Sequence, residues 1–147
     1  MTATLIRAAE RSDAAEIARL FTVLGHPTDA AVLDARWAGW IAEGNSALVA
    51  VLPDSTLAGV ATLHRMTVLH RPMPVGRVTA LVVDTPYRGE GIGRTLVVAA
   101  EDILHRAGCG LMEITSNLKR ADAHAFYERL GYDRTSLRFA KVFAPVD

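Results

Sequence analysis

Apolar positions recur along this chain with two different periods, and the changes between them mark the elements. Leu5-Ile6-Arg7-Ala8 is a short strand-like run, after which Ser12-Asp13 supply an N-cap for a helix carrying Ile17, Leu20, Phe21 and Leu24 on one face. Gly25-His26-Pro27 ends that helix. A second helix is predicted from about Asp29 to Glu43, with Val32, Leu33, Trp37 and Ile41 at helical spacing until Gly44-Asn45. Ser46 to Leu52, a turn at Pro53-Asp54-Ser55, and Leu57 to about Met66 read as an antiparallel hairpin. Arg65 to Gly76 is broken by Pro72, Pro74 and Gly76 and reads as a loop or an irregular strand end. Arg77 to Asp84 is then a strand, Gly91 to Arg106 a long helix through Ile92, Leu96, Val97, Ala100 and Ile103, and Leu111 to Thr115 another strand. Ala121 to Leu130 is a short helix closed by Gly131, and Ser136 to Phe143 alternates as a final strand. The order β-α-α-β-β-β-α-β-α-β predicts an α/β (α+β) fold, with a mixed sheet and helices on both faces. No internal repeat or linker interrupts it, so a single domain over residues 1–147 is expected.

Composition narrows the function classes. A chain of 147 residues, half of them apolar, can bury roughly 68–70% of its unfolded surface without disulfide or metal staples. Sixteen Lys and Arg balance sixteen Asp and Glu, which removes the overall basic field of a nucleic-acid or anionic-membrane binder. No apolar run approaches the ~20 residues that span a bilayer, and Arg7, Glu10, Arg11 and Asp13 fill the place of a secretory h-region. A cytoplasmic protein with no nucleic-acid or membrane partner is expected. The single cysteine, Cys109, forms neither an internal disulfide nor a cysteine-based zinc site, and it reads as a packed thiol. No metal site is expected.

The segment that carries chemistry runs from Val82-Val83-Asp84 through Thr85-Pro86-Tyr87-Arg88-Gly89-Glu90-Gly91-Ile92-Gly93-Arg94. A helix start presents unpaired N–H groups and the positive end of the dipole, and glycines let phosphate oxygens come close. Arg88 and Arg94 bracket the turn and add fork-shaped donors suited to a pyrophosphate. Spacing discriminates among phosphate ligands. No Gly-x4-Gly-Lys-Ser/Thr string exists, and a dinucleotide fingerprint begun at Gly89 or at Gly91 places Arg94 or Leu96 where its third glycine belongs.

The string Arg88-Gly89-Glu90-Gly91-Ile92-Gly93 does fit Arg-x-x-Gly-x-Gly, and it resembles the acetyl-CoA signature of the GNAT superfamily of N-acyltransferases. A second match follows in the expected order. Thr115-Ser116-Asn117 and then Ala123-His124-Ala125-Phe126-Tyr127-Glu128-Arg129-Leu130-Gly131-Tyr132 resemble the family's Ala-x-x-Phe-Tyr-x-x-x-Gly-Phe/Tyr segment. The run from Asn117-Leu118-Lys119-Arg120 through Arg138-Phe139-Ala140-Lys141 is most similar to the aminoalkylphosphonate and aminoglycoside types. The resemblance covers essentially the whole chain. It implies a mostly antiparallel central sheet, splayed between its fourth and fifth strands, and acetyl-CoA as co-substrate. The CoA pyrophosphate would lie on Arg88, Gly89, Glu90, Gly91, Ile92, Gly93 and Arg94, and the pantetheine arm along Leu81, Val82 and Val83 as an added strand. Asn117 would touch the arm, and Tyr127 would stand beside the thioester sulfur and protonate the leaving thiolate. Relatives of this fold are often dimers, so a homodimer belongs to the expectation.

Acetyl transfer asks the protein to position an amine against a thioester, polarise the carbonyl, take a proton from the ammonium and quench the thiolate. Many relatives carry a glutamate on the strand before the glycine turn, whereas Arg77-Val78-Thr79-Ala80-Leu81-Val82-Val83 holds no carboxylate. The base is therefore unassigned. Histidine's ordinary pKa of ~6.5 suits the task, and His64, His70 and His124 are the candidates beside an amine that arrives already deprotonated. His64, Arg65, His70, Arg71 and Arg77 gather near the loop after the third strand, either to meet an anionic group such as a phosphonate or as a solvated basic edge. Trp37 fits the apolar face of the second helix, and Trp40 fits core packing, a pocket wall or a dimer contact. The expected function is transfer of acetyl from acetyl-CoA to a primary amine of a small molecule. A non-catalytic acyl-CoA sensor and acetylation of a protein amine are the alternatives.

Overall fold

The computed structural model describes residues 3–115 and 121–146. The chain divides into two units, Met1–Thr115 and Ser116–Asp147. In the first unit β1 (Leu5–Ala8), α1 (Ala14–Leu24), α2 (Ala30–Ala42), β2 (Asn45–Val51), β3 (Leu57–Met66), β4 (Val75–Val83), α3 (Ile92–Arg106) and β5 (Leu111–Ile114) follow in order. The five strands form one sheet in sequence order, antiparallel from β1 through β4 and parallel between β4 and β5. This is the mixed, mostly antiparallel sheet that the sequence predicts.

Local chemistry explains the element ends. The Asp29 carboxylate accepts from the N–H groups of Ala31 and Val32 and opens α2. Gly25 closes α1 at φ 105°, and His26 N–H reaches back to the Phe21 carbonyl. Asp13 acts where a simple cap was expected. A short 3-10 turn over Arg11–Asp13 precedes α1, and the Asp13 carboxylate accepts from Arg7 at 2.8 and 2.9 Å and from Glu10 N–H at 2.8 Å.

Alternation along the strands builds a core on each face of the sheet. Leu48, Ala61, Leu63 and Val78 face α3, where Ile92, Leu96, Ala100, Leu104 and the buried Cys109 meet them. Ala47, Val49, Val60 and Val82 face α1, where Ile17 and Leu20 are buried, with Leu33, Trp37 and Trp40 of α2 packed alongside. Helices thus cover both faces. Burying this apolar surface contributes roughly 25 cal/mol per Å². A bulge at Thr79 interrupts the β3–β4 ladder, because Thr62 pairs with Ala80 while Leu63 pairs with Val78. The parallel pairing with β5 runs from Val75–Leu111 to Val78–Ile114 and goes no further among the described residues. The bulge thus falls one residue past the last β4–β5 pair, Val78–Ile114, which is where the family resemblance would put the splay.

The second unit contains α4 (Ala121–Arg129), ended by Gly131 at φ 94° with Tyr132 N–H on the Tyr127 carbonyl. The expected strand from Ser136 to Phe143 is not formed: residues 132–146 carry neither helix nor strand. Leu137, Phe139, Val142 and Phe143 stand 69–95% exposed. Alternation prepares a segment for a sheet, but a strand exists only where a neighbouring strand takes up its backbone groups, and that pairing is not written in the segment itself. No described helix is long and apolar enough to cross a membrane.

Candidate active site

The glycine turn lies at the carboxyl end of β4 and is held there from both sides. Asp84, the residue after β4, accepts from Thr85 N–H at 2.9 Å and so caps a short 3-10 turn over Thr85–Tyr87. Its other oxygen accepts from Arg19 Nη1 of α1 at 2.8 Å, while Arg19 Nη2 donates to the Leu57 carbonyl at 3.0 Å. Glu16 completes the group, accepting from Arg19 Nε at 2.7 Å and from Leu57 N–H at 3.1 Å. The Arg19 guanidinium holds the Glu16 carboxyl below the usual carboxylate range.

Beyond Arg88 the chain turns through Gly89 and Gly91 at φ 80° and 83°, a left-handed conformation that disfavours a Cβ. Both positions open onto free space. Gly91 is the N-cap of α3, and the first N–H to bond back is that of Thr95, onto the Gly91 carbonyl at 3.1 Å. Among the described residues, no hydrogen bond uses the N–H groups of Gly91, Ile92, Gly93 or Arg94. Four convergent donors at a helix start with no side-chain obstruction fit the pyrophosphate of a CoA thioester. Arg94 is exposed beside them. At Arg88 the N–H donates to the Thr85 carbonyl at 3.4 Å and the side-chain Nε to the Val83 carbonyl at 3.0 Å.

The last residues of β4 are the second part of the candidate site. Leu81 and Val83 pack toward α3 and Val82 is buried toward α1, so the side chains anchor the strand to both helix layers. Asn117 lies outside the described residues. Tyr127 sits on α4 in the second unit, half-buried, with its ring 5.2 Å from Phe126 and 6.2 Å from Tyr132 in edge-on contacts. Leu81, Val82, Val83 and Arg88 through Arg94 are thus brought together in one unit.

A cavity of about 600 Å³ opens on the α1–α2 side, lined by Ile17, Phe21, Leu33, Trp37, Trp40 and Thr62 among others. Trp37 and Trp40 are paired at 5.3 Å and tilted by 46°. Trp40 is therefore a wall of this cavity as well as a packing residue. The basic positions near the third strand are drawn to different partners: Arg65 Nε donates to the Ala107 carbonyl at 2.9 Å, and Arg77 Nε donates to Glu113 at 2.8 Å. His70 and Arg71 are exposed, and the buried Nδ1 of His64 has no hydrogen-bond partner among the described residues.

Sequence reading missed Glu113, Thr62 with Thr79, and the Arg19–Asp84 pair. Glu113 places a carboxylate beside β4 by pairing in register with Arg77, information that resides in the β4–β5 alignment and not in either strand. The Thr79 hydroxyl fills the bulge and lies 2.7 Å from that of Thr62. Only the acidic residue at the end of a predicted strand hinted at Asp84.

A bulged strand in a mostly antiparallel sheet that runs into an open glycine turn at a helix start defines a mixed α/β domain with a site for a phosphate-type anion. The pattern of the Acetyltransferase (GNAT) family matches residues 11–132, and this chain belongs to that family. It is 40% identical over 90 residues to the aminoalkylphosphonate N-acetyltransferase of Salmonella typhimurium, across 61% of this chain and 58% of that protein. An acetyltransferase structure from Trypanosoma brucei superposes with a TM-score of 0.84 at 25% identity, covering 96% of this chain and 100% of that one. A transcriptional regulator structure from Bacillus halodurans shares the fold, with a TM-score of 0.85 at 22% identity over 96% of this chain and 100% of its own.

Proposed function

We propose that residues 1–147 form a single N-acetyltransferase domain that moves acetyl from acetyl-CoA to the primary amine of a small molecule, by direct attack in a ternary complex. The observation that carries this reading is the row of N–H groups from Gly91 to Arg94, which no hydrogen bond uses among the described residues, on the glycine turn that follows β4. The pyrophosphate lies on that row, Gly89 and Glu90 line its approach, and the exposed Arg94 guanidinium neutralises it. The pantetheine arm runs along Leu81, Val82 and Val83 as an added strand. The amine nitrogen attacks the thioester carbonyl, whose developing oxyanion takes a donor from the strand near Val83, and the carbon–sulfur bond then breaks. Tyr127 enters through its motif as the acid that protonates the thiolate, with Asn117 beside the arm, and the nitrogen loses its proton to solvent. A cytoplasmic location and a homodimer belong to the same reading. The name of the Salmonella relative offers aminoalkylphosphonates as one acceptor class.

Thermal unfolding with and without acetyl-CoA tests the cofactor, and thiol release with a panel of amines tests the transfer. Acetyl-CoA at a hundred times its Kd stabilises by about 2.7 kcal/mol. No stabilisation would sink the reading. Stabilisation without thiol release from any amine would favour the sensor alternative.

A further inference from the structure

The cavity beside α2 narrows the acceptor, an inference that rests on the acetyltransferase reading above. Its lining is rich in aromatic rings, Phe21 from α1 with Trp37 and Trp40 from α2, beside Ile17 and Leu33. The charged side chains in its lining are Arg36 and Glu43, both exposed and opposite in sign. A dianion such as a phosphonate, moved into an apolar chamber with no net positive charge, loses hydration without regaining it. Other arginines of the first unit are ion-paired: Arg7 with Asp13, Arg11 with Asp34, Arg19 with Asp84 and Arg77 with Glu113.

We propose that the acceptor is a primary amine carried on an aromatic body, of arylalkylamine size, and not an aminoalkylphosphonate. A planar ring gains both burial and edge or face contacts against the three rings of the wall. The protonated amine is drawn in by Glu43 and by the faces of the indoles. Thr62 of the lining meets the exposed Thr79 hydroxyl at 2.7 Å, and Thr79 Oγ1 also lies 3.2 Å from the Thr62 carbonyl. Thr62 Oγ1 keeps a lone pair that accepts from the amine N–H. Thr79 is the bulge residue, so the nitrogen rests one hydroxyl pair away from the β4 bulge.

Both tryptophans of the chain line this cavity, so intrinsic emission from the full-length protein reports its occupancy without any cofactor. The experiment titrates 2-phenylethylamine and 2-aminoethylphosphonate against that emission, then compares kcat/KM for each from thiol release with acetyl-CoA. Phenylethylamine is expected to saturate the emission change at a concentration at least about tenfold lower and to be the better substrate by a similar factor. Trp40→Ala is expected to raise KM for phenylethylamine about tenfold while KM for acetyl-CoA holds, and Trp40→Phe to recover most of the loss. Equal or tighter binding of the phosphonate overturns the proposal, as does an emission unchanged by either amine. Acetyl-CoA stabilisation is scored separately, so its persistence alongside such a failure sinks the acceptor class and leaves the acetyltransferase reading standing.

Discussion

Asp13 shows what one carboxylate does when three donors converge on it. Arg7 supplies two of them and the Glu10 N–H the third, joining β1 to the start of α1. The Arg7 hydrogen bonds, helped by the backbone donor, outweigh burial and hold the Asp13 carboxyl below the usual range near ~4. A folded-state pKa below the unfolded one means that the unfolded chain binds the proton first as pH falls. The stabilisation is present above the unfolded pKa and is lost as pH drops through the folded one. Urea midpoints measured at pH 6 and pH 3 should therefore differ less in Asp13→Asn than in the parent chain. An unchanged difference would show that Asp13 has no part in the acid limb.

At the scale of elements, α1 is both a wall of the cavity, through Ile17 and Phe21, and a strut for the glycine turn, through Arg19. Arg19→Gln removes the donors that fix Asp84, and a hydrogen bond to a charged group contributes about 1.5–3 kcal/mol. Denaturation should register a loss of that order, and KM for acetyl-CoA should rise more than KM for the amine. Arg11→Gln, which breaks only an exposed pair with Asp34, should leave both constants unchanged. Equal effects from the two substitutions would remove the strut from the account. The helices were legible because their signals are local: the Asp29 cap, the Gly25 stop and the 3.6-residue stripe of Ile17, Leu20, Phe21 and Leu24 each sit inside the element they define. Leu57–Met66 was legible for the same reason. The turn at Gly89 and Gly91 could be read because left-handed backbone needs glycine. The Thr79 bulge, the Arg77–Glu113 pair and the fate of Ser136 to Phe143 depend on which strand lies alongside, and no window of sequence contains that.

Over the whole molecule, the contrast between the two units sets where the chain opens first. Residues 132–146 lack helix and strand and hold Arg134, Arg138 and Lys141, whereas most basic residues of the first unit lie on helices or paired strands. Limited trypsin digestion read by mass spectrometry should cut after Arg138 or Lys141 before any bond of the sheet core, because a protease needs backbone it can extend. An earliest cut inside α1 or β3 would refute that order. Cys109 adds a second window on the same question. The chain's single thiol is buried in the corner between α3 and β5, so an alkylating reagent finds it only when that corner opens. Its labelling rate is a clock for core opening. In an assay that colours free sulfhydryls, the folded protein stays silent, and the signal belongs to the coenzyme alone.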